Sequence, residues 1–303
     1  MTRSLLAVTA PAAAVALWLL AAPPAAHAEG PTPAPPGAVA FRVGALSVTV
    51  LRDAGYGLTV ESGDLGASAG PGAVRRLLAR GGAPTDEVRL SVDALLVRMP
   101  GHIVLIDTGV GPSAHGALQA SLRMAGVAPG DVTDVLVTHS HDDHVGGLVG
   151  ADGKPAFSRA TIRLSAREWA WMRSQPDGRR LAAAIARQVV AFEPGRPILP
   201  GITPLALYGH TPGHVGYEIA SRGAHIEDIG DTAHSSIVSL ERPDWIGRID
   251  EDPKAGAVTR LRELKRLAAS GERIFAPHFP YPGVGWIIPR GDGYGWKPDP
   301  ALR

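Results

Sequence analysis

Two spacings recur along the chain: apolar residues alternating with polar ones, and short runs that are apolar throughout. Leu46, Val48 and Val50 alternate with polar or small neighbours, the period of a half-buried strand. Residues 94–97 and 103–106 are continuous apolar runs separated by Pro100-Gly101, which predicts a hairpin of buried strands. Residues 117–125 predict a helix, 135–137 a buried strand and 162–164 another, after which Ser165 is placed to cap a helix reaching Ser174. Residues 181–192 have a helical pattern, 204–208 read as a strand, and 216–220 with 224–229 as a strand pair. Asp252-Pro253 opens a further helix, with aspartate as cap and proline in the first turn. Ala257, Leu261, Leu264 and Leu267 give it an apolar face, Gly271 stops it, and Ile274-Phe275 form a last strand. Strands interleaved with helices, without an internal repeat, indicate an α/β fold beginning near Phe41.

Composition narrows the classes. The 303 residues suffice for one large domain, and 45% hydrophobic with 19% charged residues describe a globular chain. A net charge of +1 gives no electrostatic attraction to nucleic acid or an anionic membrane, so the expected partner is a small-molecule substrate. The absence of cysteine excludes disulfides, thiolate metal sites, cysteine nucleophiles and a lipid-bearing cysteine. Arg3, an apolar centre from Leu5 to Leu20 and the ending Ala26-His27-Ala28 read as a secretory signal peptide over residues 1–28. A membrane anchor is the competing reading; residues 10–22 are short for a span and are interrupted or flanked by Pro11, Pro23 and Pro24. The expectation is therefore a secreted or periplasmic protein without stable membrane insertion once the leader is removed. Residues 29–40 read as a disordered Pro-rich spacer, and 41–303 as the folded domain.

Candidate chemistry concentrates at strand ends. His139, His141 and His144 share six consecutive positions with Asp142 and Asp143. Imidazole nitrogen and carboxylate oxygen are the donors that borderline divalent metals prefer. Gly209-His210-Thr211-Pro212-Gly213-His214, Gly230-Asp231 and Ala276-Pro277-His278 follow later predicted strands, each with a small or rigid residue beside the polar one. These imidazoles and carboxylates are enough for two ions with room for water.

These motifs, together with Ile106-Asp107-Thr108-Gly109, resemble the metallo-β-lactamase fold superfamily of metal-dependent hydrolases. The carboxyl-terminal part, residues 276–285, resembles the branch containing methyl parathion hydrolase, and the order of motifs is similar to that of the acyl-homoserine lactonases. The resemblance implies a four-layer αββα sandwich with the metal site at one edge of the two sheets. It implies that His139, His141 and His210 hold one ion, that Asp143, His144 and His278 hold the second, and that Asp231 bridges them. Asp143 and Asp231 are thereby catalytic as well as ligating. The implied cofactor is a pair of divalent ions, zinc foremost, sharing a hydroxide that attacks an ester, lactone or phosphotriester. Manganese, iron and cobalt suit the same donors. Asp107 is implied to orient a ligand rather than to coordinate.

Some positions stay open. His214 is read as a hydrogen-bonding residue of the His210 turn in preference to a ligand, and His234 as a residue that either lines the site or does not. His102, His115 and His225 are read as ordinary polar positions. Phe279, Tyr281, Trp286 and Trp245 are candidates for a substrate wall, against plain core. Residues 226–229 read Ile-Glu-Asp-Ile where the resemblance leads one to expect aliphatics, so either that strand is exposed on one side or the second metal site is altered. A secreted metal-binding protein without turnover, and a β-lactam or thioester hydrolase of the same superfamily, are the alternative functions. A homodimer is left open.

Overall fold

The computed structural model describes residues 30–302, and the expected leader lies outside them. Seven strands form the first sheet in sequential order: β1 (Thr32–Val43), β2 (Leu46–Thr59), β3 (Glu87–Met99), β4 (His102–Ile106), β5 (Asp134–Leu136), β6 (Thr161–Ser165) and β7 (Val189–Phe192). The sheet is antiparallel from β1 to β4 and parallel from β4 to β7. The second sheet contains β8 (Ile202–Ala206), β9 (Val215–Ser221), β10 (Ala224–Asp228), β11 (Arg273–Phe275), β12 (Val284–Arg290) and β13 (Gly293–Pro298). Its single parallel pairing joins β10 to β11. The helices are α1 (Pro71–Arg80), α2 (Leu118–Met124), α3 (Asp142–Val145), α4 (Ala166–Ser174), α5 (Pro176–Ile185), α6 (Val238–Glu241) and α7 (Pro253–Ser270).

Continuous apolar runs follow from burial on both faces of the first sheet. Successive side chains point to opposite sides. Leu51, Leu96, Leu105 and Val135 therefore pack under α2 and α4 with Leu122 and Met172. Their neighbours Val50, Leu95, Val104 and Leu136 meet Val215, Tyr217 and Ile226 of the second sheet. On the far side of that sheet Ile274 and Ile287 pack against Leu264 and Leu267 of α7. Helix, sheet, sheet and helix make the four expected layers.

Three expectations change. Residues 32–40 are not a spacer but most of strand β1, whose partners run from Thr32↔Gly55 to Val43↔Leu46. Its prolines are tolerated because β1 is an edge strand, and the register shift between Pro33 and Gly37 absorbs them. Residues 189–192 are strand β7 and not the end of a helix. Gln188 breaks the helical course, its amide donating to the Phe157 and Ala160 carbonyls at 2.8 Å each, and the β-branched Val189 and Val190 then pair with β6. The hairpin β12–β13 follows the last ligand motif, where the sequence reading placed no element.

The acidic strand is resolved differently from either alternative. The last three residues of β10 are buried on both faces, Glu227 at 3% and Asp228 at 2% exposure. Glu227 ion-pairs with Arg266 of α7, and Asp228 accepts the Gly230 N–H at 2.9 Å. Burial outweighs Arg266 and pushes the Glu227 carboxyl up to about 7 from its ordinary 4.5. A carboxyl raised in the folded state contributes stability that is complete below its unfolded value and lost as pH rises through the folded one. Glu227→Gln is therefore expected to gain on the parent protein by about 3 kcal/mol between pH 5 and pH 8, read as a widening melting-temperature difference. A difference that stays constant with pH would remove this assignment.

Candidate metal centre

Parallel pairing sets the site. β4 and β5 run together in one sheet and β10 and β11 in the other, so the loops after all four strands emerge at one edge of the sandwich. Asp107 follows β4, His139 follows β5, Asp231 follows β10 and His278 follows β11. The β8–β9 connection brings His210 to the same edge, and α3 carries Asp143 and His144 with His141 at its N-cap. Two glycines make the approach close enough. A side chain at Gly209 (φ 132°) would collide with Gly256 N of α7 at 2.3 Å, and one at Gly230 (φ 46°) with His214 Nε2 at 2.4 Å.

The seven expected residues fall into two groups. His139 Nε2 and His141 Nδ1 lie 3.2 and 2.9 Å from His210 Nε2. His144 Nε2 lies 3.4 Å from His278 Nε2, and Asp143 Oδ2 is 3.6 Å from both. Asp231 stands between the groups. Its Oδ2 is 3.2 Å from His210 Nε2 and 3.1 Å from His278 Nε2, and its Oδ1 is 3.3 Å from His144 Nε2. His139, His144, His210, Asp231 and His278 are buried.

The outer atom of four of the five imidazoles is fixed. His144 Nδ1 meets Asp107 Oδ2 at 2.8 Å, His210 Nδ1 meets Asp250 Oδ1 at 3.0 Å, and His278 Nδ1 donates to the Ser91 carbonyl at 2.7 Å. Thr138 gives its hydroxyl proton to Asp107 at 2.7 Å, so its oxygen accepts from His139 Nδ1 at 3.1 Å. Protons held outward leave Nε2 lone pairs aimed at one another. Such pairs repel at these distances unless a cation or a shared proton lies between them. Asp231 Oδ1, buried without a hydrogen-bond partner, makes the same demand. The donor set fits divalent metal.

The charges agree with that reading. Burial lowers His139 well below the ordinary imidazole range, with the neighbouring His144 adding to the effect. Burial opposes charge on His144 and His278, yet Asp231 and the other nearby carboxylates raise both. Burial likewise opposes charge on Asp231, but His144, His278, His139 and His234 hold its carboxyl well below the usual value.

The open positions now have places. His214 donates from Nδ1 to the Leu207 carbonyl at 2.8 Å and accepts the Asp231 N–H on Nε2 at 3.0 Å. Burial, helped by His210, keeps it neutral with a pKa lowered to about 3. It positions Asp231 and offers no free donor. His234 is at the site: its Nε2 lies 3.1 Å from Asp231 Oδ2, and its ring stacks on His278 at 5.5 Å. The signal was its three-residue offset from Asp231. His102 and His225 pair instead with Asp134 and Glu272, away from the cluster.

Among the described residues, none of the four candidate aromatics packs its ring against a ligand imidazole. Phe279 is fully buried edge-on against Trp296 beneath α7, Trp245 packs with α1, Trp286 sits below Lys297, and Tyr281 sits below Arg52. The aromatic beside the ligands is Trp171 of α4, 5.7 Å from the His141 ring. It lines a cavity of about 300 Å³ with Arg167, Tyr208, Pro212, Glu251 and Ala255. Glu251 faces His141 Nε2 at 3.6 Å, so the cavity adjoins the metal centre. A larger recess of about 580 Å³ beside β1 contains none of the seven residues.

The family model for the metallo-beta-lactamase superfamily matches residues 88–278, and the chain belongs to that superfamily. Its histidine and carboxylate groups form a donor set that could hold metal ions. Metallo-beta-lactamase domain-containing protein 1 of Xenopus laevis is 39% identical over 118 residues, 39% of this chain and 42% of that protein. The chain thus spans about two-fifths of that relative's length. Among solved structures, the dizinc quorum-quenching lactonase AidC superposes with a TM-score of 0.83 at 24% identity, covering 87% of this chain and 98% of that one. The hydrolase AbOPH superposes at 0.78 with 29% identity, over 87% and 97%. At 24% identity AidC speaks for the fold alone.

Proposed function

We propose that the protein is a dinuclear hydrolase of small esters, lactones or phosphotriesters, loaded with two divalent ions, zinc foremost, and exported by the leader read over residues 1–28. The observation that carries the reading is the position of Asp231, whose carboxylate touches nitrogens of both histidine groups. His139, His141 and His210 would hold one ion and Asp143, His144 and His278 the other, with Asp231 shared. When bound, such a pair lowers the pKa of water to about 7 and polarises the electrophilic oxygen of the substrate.

The chain's own residues do the rest. Asp107, Asp250 and the Ser91 carbonyl keep the imidazoles in the tautomer that presents Nε2. His214 holds the Asp231 backbone. The Trp171 face and the aliphatic edge of the neighbouring cavity would take the apolar part of a substrate and exclude water from it.

A panel of p-nitrophenyl esters, lactones and paraoxon-type triesters, run on metal-replete protein, tests the reaction. Turnover of none of them would sink it. Trp171→Ala is expected to raise KM about tenfold with kcat within about threefold, because it removes binding that substrate and transition state share. An unchanged KM would move the substrate out of this cavity. Amino-terminal sequencing of the mature protein checks export; retention of residues 1–28 would overturn it.

A further inference from the structure

Glu168 is fully buried in the first turn of α4, yet its carboxylate serves neither the helix nor a cation. Ser165 and Glu168 have the spacing of a capping box, in which the glutamate reaches back to its own N-cap. Here it turns away. Oε1 accepts the Ser140 N–H at 2.8 Å and the Ser140 hydroxyl at 2.7 Å. Oε2 accepts the Thr211 hydroxyl at 2.6 Å and the Gly213 N–H at 3.0 Å. Ser140 lies between His139 and His141, and Thr211 follows His210.

We infer that Glu168 is a positioning residue that clamps the two loops supplying His139, His141 and His210, and so selectively sets the affinity of the ion those three residues hold. All four partners donate, which is why the position needs a carboxylate: an amide turns one donor-rich edge toward a backbone N–H that cannot reverse. Ser165 reinforces the clamp, donating to the Gly213 carbonyl at 2.7 Å while capping α4 through the Glu168 N–H. A side chain at Gly213 would meet Glu168 N at 2.1 Å, so the loop and helix are in contact through their backbones. The same helix carries Trp171 three residues on, which fixes the cavity wall relative to the first ligand group. The four bonds do not reach the loops of Asp231 or His278, and Asp143 and His144 stand on α3, past the tethered Ser140.

This inference rests on the first three histidines sharing an ion, and not on which bond is cleaved. Its test is calorimetric titration of the metal-stripped full chain with Zn²⁺, paired with visible spectra of the Co²⁺-loaded protein. In Glu168→Gln one of the two binding events weakens by about ten- to a hundredfold, the scale of removing a residue that orients a ligand. The other stays within about threefold, and part of the Co²⁺ spectrum changes. Equal weakening of both events alongside a matching fall in melting temperature would reduce Glu168 to a structural residue and overturn the inference, as would two unchanged events. Ser140→Ala and Thr211→Val each remove one tether, and one-sided weakening in these milder variants supports the clamp even where Glu168→Gln does not fold. Parent protein that takes up no ion instead sinks the metal reading beneath it.

Discussion

Asp231→Ala is expected to leave the protein with at most one tightly held ion and to lower turnover by on the order of 10²–10³-fold, the scale of removing one preorganised electrostatic contact. The reason is geometric. Among the seven residues, Asp231 alone has its oxygens within 3.3 Å of nitrogens from both groups. Removing it leaves two ligand groups with no shared anion, and Asp143 is then the one carboxylate of the seven left to offset the repulsion between two ions. The same change strips His234 Nε2 and His278 Nε2 of their contact with Oδ2. Asp231→Asn separates charge from shape, since it keeps the side chain's size while removing its anionic character. Both variants should lose metal and rate together. Full metal content with an unchanged rate in either would remove the bridging role.

His214→Ala would reproduce part of that loss without touching a ligand, because the Asp231 N–H would lose its acceptor. The centre thus has depth. Four of the five imidazoles are oriented by a partner behind them, and the bridging carboxylate by another imidazole.

What the chain disclosed in advance depended on the kind of signal. The seven candidate ligands were legible because each sits at the end of an apolar run beside glycine, proline or a cluster of like residues, a local feature of sequence. Strands β3 to β6 of the first sheet were legible for the same reason: burial on both faces leaves continuous apolar runs such as residues 94–97. Strand β1 was hidden because Pro33, Pro35 and Pro36 argue against pairing, and only its edge position makes them harmless. Trp171 and Phe279 show the opposite failure. Phe279 lies next to His278 in sequence and points into the α7 core, while Trp171 is distant in sequence and reaches His141. Nearness along a chain says little about which side of a strand end a ring occupies. Glu168 was invisible as a clamp because its spacing from Ser165 has a complete local explanation that the fold does not use.

Stripping the metal should abolish turnover and lower the melting temperature without unfolding the protein. The three main apolar clusters lie between and outside the sheets and do not include the ligand side chains, so the sandwich persists without ions. An ion present at about a thousand times its dissociation constant stabilises the folded state by about 4 kcal/mol. For a domain of this size that corresponds to a shift of roughly 8–16 °C, at about 2–4 °C per kcal/mol. Protons compete for the same lone pairs. Burial disfavours the cation on His210, but Asp231 and Asp250 outweigh it and raise its pKa to about 9. At pH 7 the metal-free imidazole therefore carries a proton that an incoming ion must expel, and affinity should rise from pH 6 to pH 8 with net proton release. Calorimetry in two buffers of different ionisation enthalpy reads that release directly. Refilling with Zn²⁺ should restore both rate and melting temperature. Activity and thermal stability that survive in protein shown by elemental analysis to hold no transition metal would contradict the whole assignment.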